Sequence, residues 1–247
     1  MIIREIRSKT ILSKSEIYDY VVNPYVGCRH ACSYCYARFM KRFTGHQEPW
    51  GDFVDVKINA PELLAEEVMR KRRGTVWLSG VCDPYQPLEE NYRLTRKCLE
   101  ILVRGDWPAV VQTRSPLVLR DLELLRRGQK LEAGFSITTA DDEVRRRFEP
   151  LAPPIPERVR AVQTLHAAGV RTYVMIAPML PGAEDLIPLL TGHIDYLILD
   201  RMNYGYANGI YRLNGWETMN TDAYFAQVGR RLVGACRARG IDCRTAY

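Results

Sequence analysis

The sequence predicts an α/β fold, an incomplete TIM-like barrel of about six β/α units with parallel strands. Short apolar runs alternate along the chain with longer amphipathic segments, and this alternation is typical of parallel strands joined by right-handed helical crossovers. The 247 residues fit about six such units better than the eight of a closed barrel. We expect a single domain over residues 1–247, and a doubly wound open sheet is the alternative.

Each predicted element has a local cause in the sequence. Apolar runs bounded by turn-forming residues predict strands, at residues 17–22, 75–78, 109–112, 133–138, 170–177 and 194–199. Amphipathic segments with suitable end residues predict helices, at residues 61–73, 92–104, 117–127, 141–148, 157–168, 186–190 and 221–239. Shorter pieces are expected at residues 37–40, 55–58 and 241–244. The prolines between residues 150 and 156 exclude a regular helix or a central strand there.

Composition excludes several classes of protein. With 47% hydrophobic residues, the chain is neither disordered nor collagenous. Its apolar stretches are far shorter than a bilayer span, and the first residues lack the apolar core of a signal peptide, so we expect a cytoplasmic protein with no membrane partner. The net charge of +6 is mild, and basic residues before Gly74, Gly105, Gly128 and Gly240 fit the last turns of helices followed by glycine caps. A nucleic-acid groove is the other interpretation of these basic residues.

The loop after the first predicted barrel strand contains three closely spaced cysteines, Cys28-x3-Cys32-x2-Cys35. Three thiolates this close can converge on one small inorganic group. They are fewer than the four ligands of an ordinary iron–sulfur cluster or of a closed structural zinc site. A cubane cluster held by three cysteines leaves one iron without a protein ligand, and that iron can bind a small molecule.

This spacing, with Tyr34 before the third cysteine, resembles the signature of the radical SAM superfamily. The stretch from Gly27 to Ala37 is similar to the branch related to spore photoproduct lyase, and weaker similarities follow in the same order at residues 83–87, 113–116, 147–150, 157–158 and 177–182. The resemblance implies a 4Fe-4S cluster on Cys28, Cys32 and Cys35, whose open iron binds S-adenosylmethionine. Reductive cleavage would yield methionine and a 5′-deoxyadenosyl radical that abstracts a substrate hydrogen. An external electron donor of the flavodoxin or ferredoxin type is also implied.

The resemblance extends to candidate residues for binding S-adenosylmethionine. These lie beside the third cysteine or at the ends of predicted strands: Tyr34, Tyr36, Ser79, Gly80, Asp83, Arg114, Ser136 and Pro178. In this interpretation the Asp83 carboxylate accepts a hydrogen bond from the methionine amino group, and Arg114 binds a carboxylate through two hydrogen bonds. Five of the candidates also have a structural interpretation: Tyr34 and Tyr36 as packing aromatics, Asp83 as the start of a turn, Arg114 as a surface ion-pair residue, and Ser136 as a buried serine bonded to backbone.

Cys82 is the candidate catalytic residue. Spore photoproduct lyase carries a hydrogen-donating cysteine in this loop, three residues before the aspartate that Asp83 matches. Here Gly80 occupies that position and the cysteine directly precedes Asp83. A thiol at this point can quench a product radical, or it can simply fill space at a strand end. The shift predicts that the chain does not repair spore photoproduct efficiently, and Cys243 is a second candidate hydrogen donor.

The substrate is left open between a nucleobase or nucleic acid and a small metabolite or peptide. The segment 203–216 is rich in aromatic residues, Asn and Gly. Its rings either stack on a base or form a lid that packs on itself. The alternative function is a zinc-binding, non-catalytic nucleic-acid-interaction module, in which His30 is the fourth ligand.

Overall fold

The computed structural model describes residues 1–128 and 130–246, which form two compact units. The first unit comprises Met1–Ala31 and Ala37–Ala133. The second comprises Cys32–Tyr36 and the chain from Gly134 onward. The cysteine loop therefore contributes Cys28 to the first unit, and Cys32 and Cys35 to the second. The predicted single domain stays a prediction.

The first unit contains most of the amino-terminal strands. Its strands are β1 (Ile2–Ile6), β2 (Leu12–Lys14), β3 (Tyr20–Val22), β4 (Tyr25–Val26), β5 (Phe53–Lys57), β6 (Val76–Leu78), β7 (Ala109–Thr113) and the start of β8 (Leu131–Ser136). Its helices are α1 (Ala60–Arg70), α2 (Glu89–Tyr92), α3 (Leu94–Arg104) and α4 (Leu122–Arg127). A 3₁₀ helix at Tyr36–Phe43 follows the cysteine loop, and another at Pro116–Asp121 precedes α4.

Two sheets organise the first unit. The small sheet has the order β1-β5-β4, and the large one runs β2-β3-β6-β7 and then the start of β8. Strands β3, β6 and β7 are parallel, with Val22 paired to Leu78 and Leu78 paired to Val111. Because the carboxyl ends of parallel strands meet at one edge of a sheet, the segments that follow these three strands come together there.

The second unit continues the same type of structure. Its strands run in the order β8, β9 (Arg171–Ile176), β10 (Tyr196–Leu199) and β11 (Asp242–Thr245), and the pairs β9–β10 and β10–β11 are parallel. Its helices are α5 (Asp142–Phe148), α6 (Ile155–Ala167), α7 (Leu186–Leu190), α8 (Asn208–Leu213) and α9 (Asp222–Arg237). Asp141 caps α5 by accepting from two backbone N–H groups, and Thr221 caps α9.

These elements confirm the predicted α/β class with parallel strands, since helical structure follows each of β6, β7, β8, β9 and β10. The predicted strand 17–22 is shorter and begins at Tyr20. The predicted glycine cap at Gly74 is wrong, because α1 ends at Arg70 and its cap residue Lys71 is extended. At Gly240 the backbone does take a left-handed conformation, with φ of 68°. No described helix is long and apolar enough to cross a bilayer.

Candidate functional site

Asn23 organises the segment that follows β6 in the first unit. It comes directly after β3, and its side-chain Oδ1 accepts hydrogen bonds from Ser79 Oγ at 2.6 Å, Gly80 N at 2.8 Å and Val81 N at 3.1 Å. A Cβ atom on Gly80 would lie 3.2 Å from the Trp77 ring and from Val21, so the loop packs closely at this glycine. Ser79 and Gly80, two predicted cofactor-binding residues, thus lie on a loop whose backbone is fixed.

Asp83 is a buried carboxylate with a full set of partners. Its Oδ1 accepts from Tyr85 N at 2.9 Å and from Thr113 Oγ1 at 2.5 Å, and its Oδ2 accepts from Arg114 N at 2.7 Å. Burial alone would raise the pKa of Asp83, but the neighbouring His30 and these hydrogen bonds lower it to about 2. Asp83 therefore holds the end of β7 in place. Its predicted contact with a methionine amino group stays a prediction.

His30 links the cysteine loop to Asp83 within the first unit. Its Nδ1 lies 3.3 Å from Asp83 Oδ2, and the ring is only 1% exposed. Burial tends to lower the pKa of His30, but Asp83 and the Cys28 thiol raise it to about 9. The pair is thus a buried imidazolium and carboxylate, an arrangement that fixes the orientation of both groups.

Gln86 holds the backbone on both sides of Cys28. Its Nε2 donates to Gly27 O at 3.2 Å, its Oε1 accepts from Arg29 N at 2.9 Å, and the side chain is fully buried. Gly27 itself has φ of +90°, and a Cβ there would lie 2.4 Å from the Phe53 carbonyl oxygen, so the position requires glycine. We call Asp83 and Gln86 the first anchor of the cysteine loop.

A buried charge network supports the first anchor. The Tyr85 hydroxyl donates to Asp121 Oδ2 at 2.9 Å, and Asp121 is paired with Arg96 at 2.5 Å and with Arg120 at 3.1 Å. Arg120 also pairs with Glu89 at 2.9 Å, and Glu89 accepts a hydrogen bond from Tyr25. Both carboxylates are fully buried. The segment 83–87 is therefore held by this buried network through Tyr85, and it is also hydrogen-bonded to the cysteine loop through Gln86.

The second unit holds its own part of the cysteine loop. Ser33 N donates to Phe148 O at 2.8 Å, and the Tyr34 hydroxyl donates to Glu149 Oε1. The same oxygen accepts from Thr138 Oγ1 at 3.0 Å. Glu149 pairs with Arg158 at 2.5 Å, and neither side chain is exposed. We call Glu149 and Arg158 the second anchor.

Arg158 ties the second anchor to strand β8 and to the proline-rich stretch. Its Nε donates to Pro153 O at 2.8 Å and its Nη1 to Ser136 O at 3.1 Å. Ser136, a predicted cofactor residue, is buried at the end of β8. Pro178 is buried just after β9. The second anchor thus fixes the backbone at one of these two predicted positions.

Part of the aromatic segment 203–216 packs against the second unit. Tyr211 and Ala207 join an apolar cluster with Cys32, Tyr34, Val144, Phe148 and Leu180, against which Cys35 and Trp216 also pack. The rings of Phe148 and Tyr211 are 4.9 Å apart, and those of Phe148 and Trp216 are 6.2 Å apart. Tyr204 and Tyr206 instead stack on each other at 5.6 Å and stay 49% and 48% exposed. The lid interpretation therefore applies to Tyr211 and Trp216.

The remaining predicted residues differ in burial. Cys82 is half-buried in the first unit, with its Sγ 3.1 Å from Ser79 Oγ, and burial raises the pKa of its thiol above the usual range. Arg114 is half-buried after β7, where its backbone N–H reaches Asp83. Tyr36 begins the 3₁₀ helix and is 41% exposed. Cys98, on α3, is fully buried.

The predicted residues therefore fall into two groups. The first unit brings together Cys28, Ser79, Gly80, Cys82, Asp83 and Arg114, and the second contains Cys32, Tyr34, Cys35, Tyr36, Ser136 and Pro178. Among the residues that the structure describes, no three His, Cys, Asp or Glu side chains are arranged to hold a metal ion. All seven cysteines are free thiols. The donor set of the loop is thiolate, the ligand type that iron–sulfur clusters use.

The profile of the Radical SAM superfamily matches residues 22–186, which includes the cysteine loop and both anchors. The chain belongs to this superfamily. The resemblance drawn from the cysteine spacing is thereby confirmed. Membership carries the general chemistry of radical SAM proteins, and the exact reaction is taken up below.

Sequence relatives of the chain include an archaeal and a phage protein. The uncharacterized protein MJ0683 of Methanocaldococcus jannaschii is 33% identical over 184 residues, which cover 74% of this chain and 69% of that protein. A protein named Radical SAM Nalpha-GlyT isomerase, from Pseudomonas phage M6, is 24% identical over 164 residues. That alignment covers 66% of this chain but only 33% of the phage protein.

Among solved structures, spore photoproduct lyase complexed with dinucleoside spore photoproduct is similar over 99% of this chain and 82% of that one, with a TM-score of 0.71. The sequences are 16% identical, so this similarity concerns the fold. Another structure of the lyase, a variant with bound AdoMet and dinucleoside spore photoproduct, gives a TM-score of 0.70. The radical SAM chain thus shares the fold of spore photoproduct lyase, as the sequence predicts.

Proposed function

We propose that the chain is a radical SAM enzyme that holds a 4Fe-4S cluster on Cys28, Cys32 and Cys35. The observation that carries this proposal is that both segments of the cysteine loop are held by buried polar groups in a chain of this superfamily. Free thiols on a loop fixed at both ends suit a cofactor that needs fixed ligands. A cluster bound in this way would supply an electron that cleaves S-adenosylmethionine, and the resulting radical would abstract a substrate hydrogen.

The chain's own residues orient the ligands and exclude water. Gln86 sets the backbone around Cys28, and Glu149 holds Tyr34 beside Cys35. Cys32 and Tyr211 belong to one apolar cluster of the second unit, against which Cys35 and Trp216 also pack, so apolar side chains limit the access of water to this part of the loop. We assign the binding of S-adenosylmethionine to the residues predicted for it: Tyr34, Tyr36, Ser79, Gly80, Asp83, Arg114, Ser136 and Pro178. An external electron donor of the flavodoxin or ferredoxin type would reduce the enzyme in the cytoplasm.

The substrate class rests on the relatives. A lyase structure of the same fold contains dinucleoside spore photoproduct, and the phage relative is named as an isomerase of Nalpha-GlyT. These names support a nucleobase in a nucleic acid, and a small metabolite or peptide is the second candidate. Cys82 is the proposed hydrogen donor, because its thiol is half-buried in the same unit as Cys28.

Repair of spore photoproduct itself is not expected. Reacting atoms must approach within about 3–3.5 Å, and a shift of two residues in extended backbone moves a side chain by roughly 6–7 Å. Gly80 carries no thiol, and the Cys82 thiol is directed to Ser79 Oγ. The reduced enzyme should therefore release no thymine from dinucleoside spore photoproduct. Turnover that is lost in Cys82→Ala would contradict this and make Cys82 the repair donor.

The experiment that tests the proposed function is reductive cleavage of S-adenosylmethionine. Anaerobically reconstituted protein should absorb broadly in the visible range and, after reduction with dithionite, should release 5′-deoxyadenosine and methionine. Its EPR spectrum should change when S-adenosylmethionine is added, because the cofactor binds the open iron. A colourless protein that retains zinc and cleaves nothing would instead support the non-catalytic zinc module, with His30 as a ligand.

A further inference from the structure

The 3₁₀ helix Tyr36–Phe43 directly follows the cysteine loop and ends in a basic, exposed segment. We call Lys41, Arg42 and Phe43 the basic tip. The Arg42 side chain is exposed, and Phe43 is 74% exposed although its side chain is large and apolar. The Phe43 ring lies 6.4 Å from that of Phe39, in an edge-to-face arrangement that leaves most of the Phe43 ring open to solvent. The basic tip therefore contributes little to the core of the first unit.

The charges of the basic tip have no acidic partner among the residues that the structure describes. Lys41 Nζ donates to the backbone carbonyl of Gln47 at 3.2 Å, and the Arg42 guanidinium makes no ion pair or hydrogen bond with any described residue. The helix and the four residues after it contain no Asp or Glu. By contrast, the exposed Arg73 of the same unit is paired with Asp106 at 3.2 Å. An uncompensated positive surface of this kind attracts an anionic partner and speeds its association.

The basic tip is linked to the cysteine loop at both ends of the helix. Lys41 is six residues after Cys35, which corresponds to about 12 Å at the rise of about 2 Å per residue of a 3₁₀ helix. Beyond the helix, the first unit folds back onto the loop: Arg29 Nη1 donates to Gly51 O at 3.1 Å, and a Cβ atom at Gly51 would lie 2.4 Å from the Ala31 Cβ. A partner that binds the basic tip is therefore close to the cysteine loop.

We infer that the basic tip docks the acidic surface of the protein that supplies electrons to the enzyme. The inference rests on the proposed function, because a cluster on the cysteine loop must receive an electron before S-adenosylmethionine is cleaved. The donor loses one electron and the cluster gains it, and no bond is made or broken between the two proteins. This transfer requires a donor docked beside the loop, which is where the basic tip lies.

The side chains of the basic tip suit a small acidic protein better than a nucleic acid. Lys41 and Arg42 complement carboxylates of the partner, and the exposed Phe43 supplies an apolar contact. Arg and Phe are enriched at protein interfaces. Electron-transfer proteins bind transiently through small interfaces, so a surface of this size is sufficient. A nucleic acid is held instead by many phosphate contacts along a basic stripe, and the basic tip offers two charges.

Binding of a bacterial flavodoxin in its oxidised form tests the inference without turnover. Calorimetry with the reconstituted protein should show binding at low ionic strength that weakens as salt is added, because salt screens exposed charges. The double variant Lys41→Gln/Arg42→Gln should bind about tenfold more weakly at low salt. Arg7→Gln/Lys9→Gln removes the same charge from an exposed segment of the same unit and should bind as the wild type does. Equal binding by the wild type and Lys41→Gln/Arg42→Gln would overturn the inference.

The salt dependence separates Phe43 from the two charges. Phe43→Ser should weaken flavodoxin binding by about fivefold at low and at high salt, because an apolar contact is not screened. The loss in Lys41→Gln/Arg42→Gln should instead shrink as salt is added. Met69→Ser, which replaces an apolar side chain that is 84% exposed on α1, is the matched control and should bind as the wild type does. Wild-type affinity in Phe43→Ser would contradict the assignment of the basic tip as the docking surface.

A fluorescent single-stranded oligonucleotide serves as the competing partner. The wild type and Lys41→Gln/Arg42→Gln should bind this oligonucleotide equally, because the basic tip is assigned to a protein. Loss of oligonucleotide binding in the double variant, with flavodoxin binding retained, would assign the basic tip to a nucleic acid and overturn the inference.

The choice of reductant separates the docking surface from the proposed function. Dithionite is a small reductant that needs no docking. Lys41→Gln/Arg42→Gln should therefore release 5′-deoxyadenosine at the wild-type rate with dithionite, and about tenfold more slowly with reduced flavodoxin. Cleavage with dithionite by a wild type that binds no flavodoxin would refute the docking surface alone. A wild type that binds flavodoxin through the basic tip but cleaves no S-adenosylmethionine with dithionite would refute the proposed function alone.

Discussion

The two anchors of the cysteine loop achieve similar results by different chemistry. The first anchor acts on backbone: Gln86 bonds Gly27 and Arg29 on either side of Cys28. The second anchor acts on a side chain: Glu149, which is paired with Arg158, accepts a hydrogen bond from the Tyr34 hydroxyl. A neutral amide can be lost at modest cost, whereas a buried ion pair that loses one partner leaves an unpaired charge. Substitution in the Glu149–Arg158 pair should therefore destabilise the protein more than loss of Gln86, and loss of Gln86 should act more specifically on Cys28.

Removal of the Arg158 charge should have the largest effect on stability. Arg158→Met leaves the Glu149 carboxylate buried without its partner, and we expect a loss of about 3–5 kcal/mol in the free energy of unfolding. Urea denaturation of the apoprotein measures this loss of unfolding free energy. Arg160→Met, on the exposed face of the same helix, is the matched control and should change stability by less than about 0.5 kcal/mol. Similar stabilities of the two variants would show that the pair does not hold the second anchor.

The first anchor should be sensitive to acid through Asp83. The pKa of Asp83 is lowered in the folded protein to about 2, below the value of about 3.9 in an unfolded chain. Its contribution of about 2 kcal/mol is therefore complete above pH 4 and is lost as the pH falls from about 4 to about 2. The difference in unfolding free energy between the wild type and Asp83→Asn should narrow over this range. If the difference in unfolding free energy between the two proteins stays constant with pH, the effect of the substitution comes from packing and not from the Asp83 charge.

Loss of Gln86 should be milder and should act near Cys28. Gln86→Ala leaves Gly27 O and Arg29 N without their side-chain partner, at a cost of about 1–3 kcal/mol in unfolding free energy. Because the backbone around Cys28 is then free to move, iron should dissociate from the reconstituted variant faster than from the wild type under a chelator. Gln47→Ala removes an exposed glutamine and serves as the control. If iron dissociates from Gln86→Ala at the wild-type rate, Gln86 does not position Cys28 for iron binding.

The smallest effect should come from a single hydroxyl of the second anchor. Tyr34→Phe keeps the ring in its apolar cluster and removes only the donation to Glu149, so we expect a loss of about 1 kcal/mol. Tyr204→Phe, in the exposed tyrosine pair, should be neutral. A Tyr34→Phe variant as stable as the wild type would show that Thr138 and Arg158 alone satisfy Glu149.

The fold and the cysteine loop follow from local sequence patterns, and the anchors do not. Alternating apolar runs and helical segments predict most strands and helices, because those patterns depend on neighbours within a few residues. The exposed strand β1 and the two-residue strand β4 lack such a pattern and were not predicted. Gln86 meets Gly27 across 59 residues and Glu149 meets Tyr34 across 115. Only the similarity at residues 83–87 and 147–150 indicated where these partners lie.

The placement of Asp83 shows the same limit. The Asp83-Pro84 pair predicts a turn. In the structure the Asp83 side chain accepts a hydrogen bond from the backbone N–H of Tyr85, two residues later, as such turns do. Its bonds to Thr113 and Arg114 depend on the pairing of β6 with β7, which no local pattern specifies.

The central claim is that Cys28, Cys32 and Cys35 together hold one cluster, and iron content tests it most directly. Wild-type protein and the single variants Cys28→Ala, Cys32→Ala and Cys35→Ala are reconstituted anaerobically, with Cys98→Ala as the control for loss of a buried thiol. The account predicts about four irons per chain in the wild type and in Cys98→Ala, and little or none in each of the other three. Wild-type iron content in any of those three variants, or zinc in place of iron in the wild type, would contradict it.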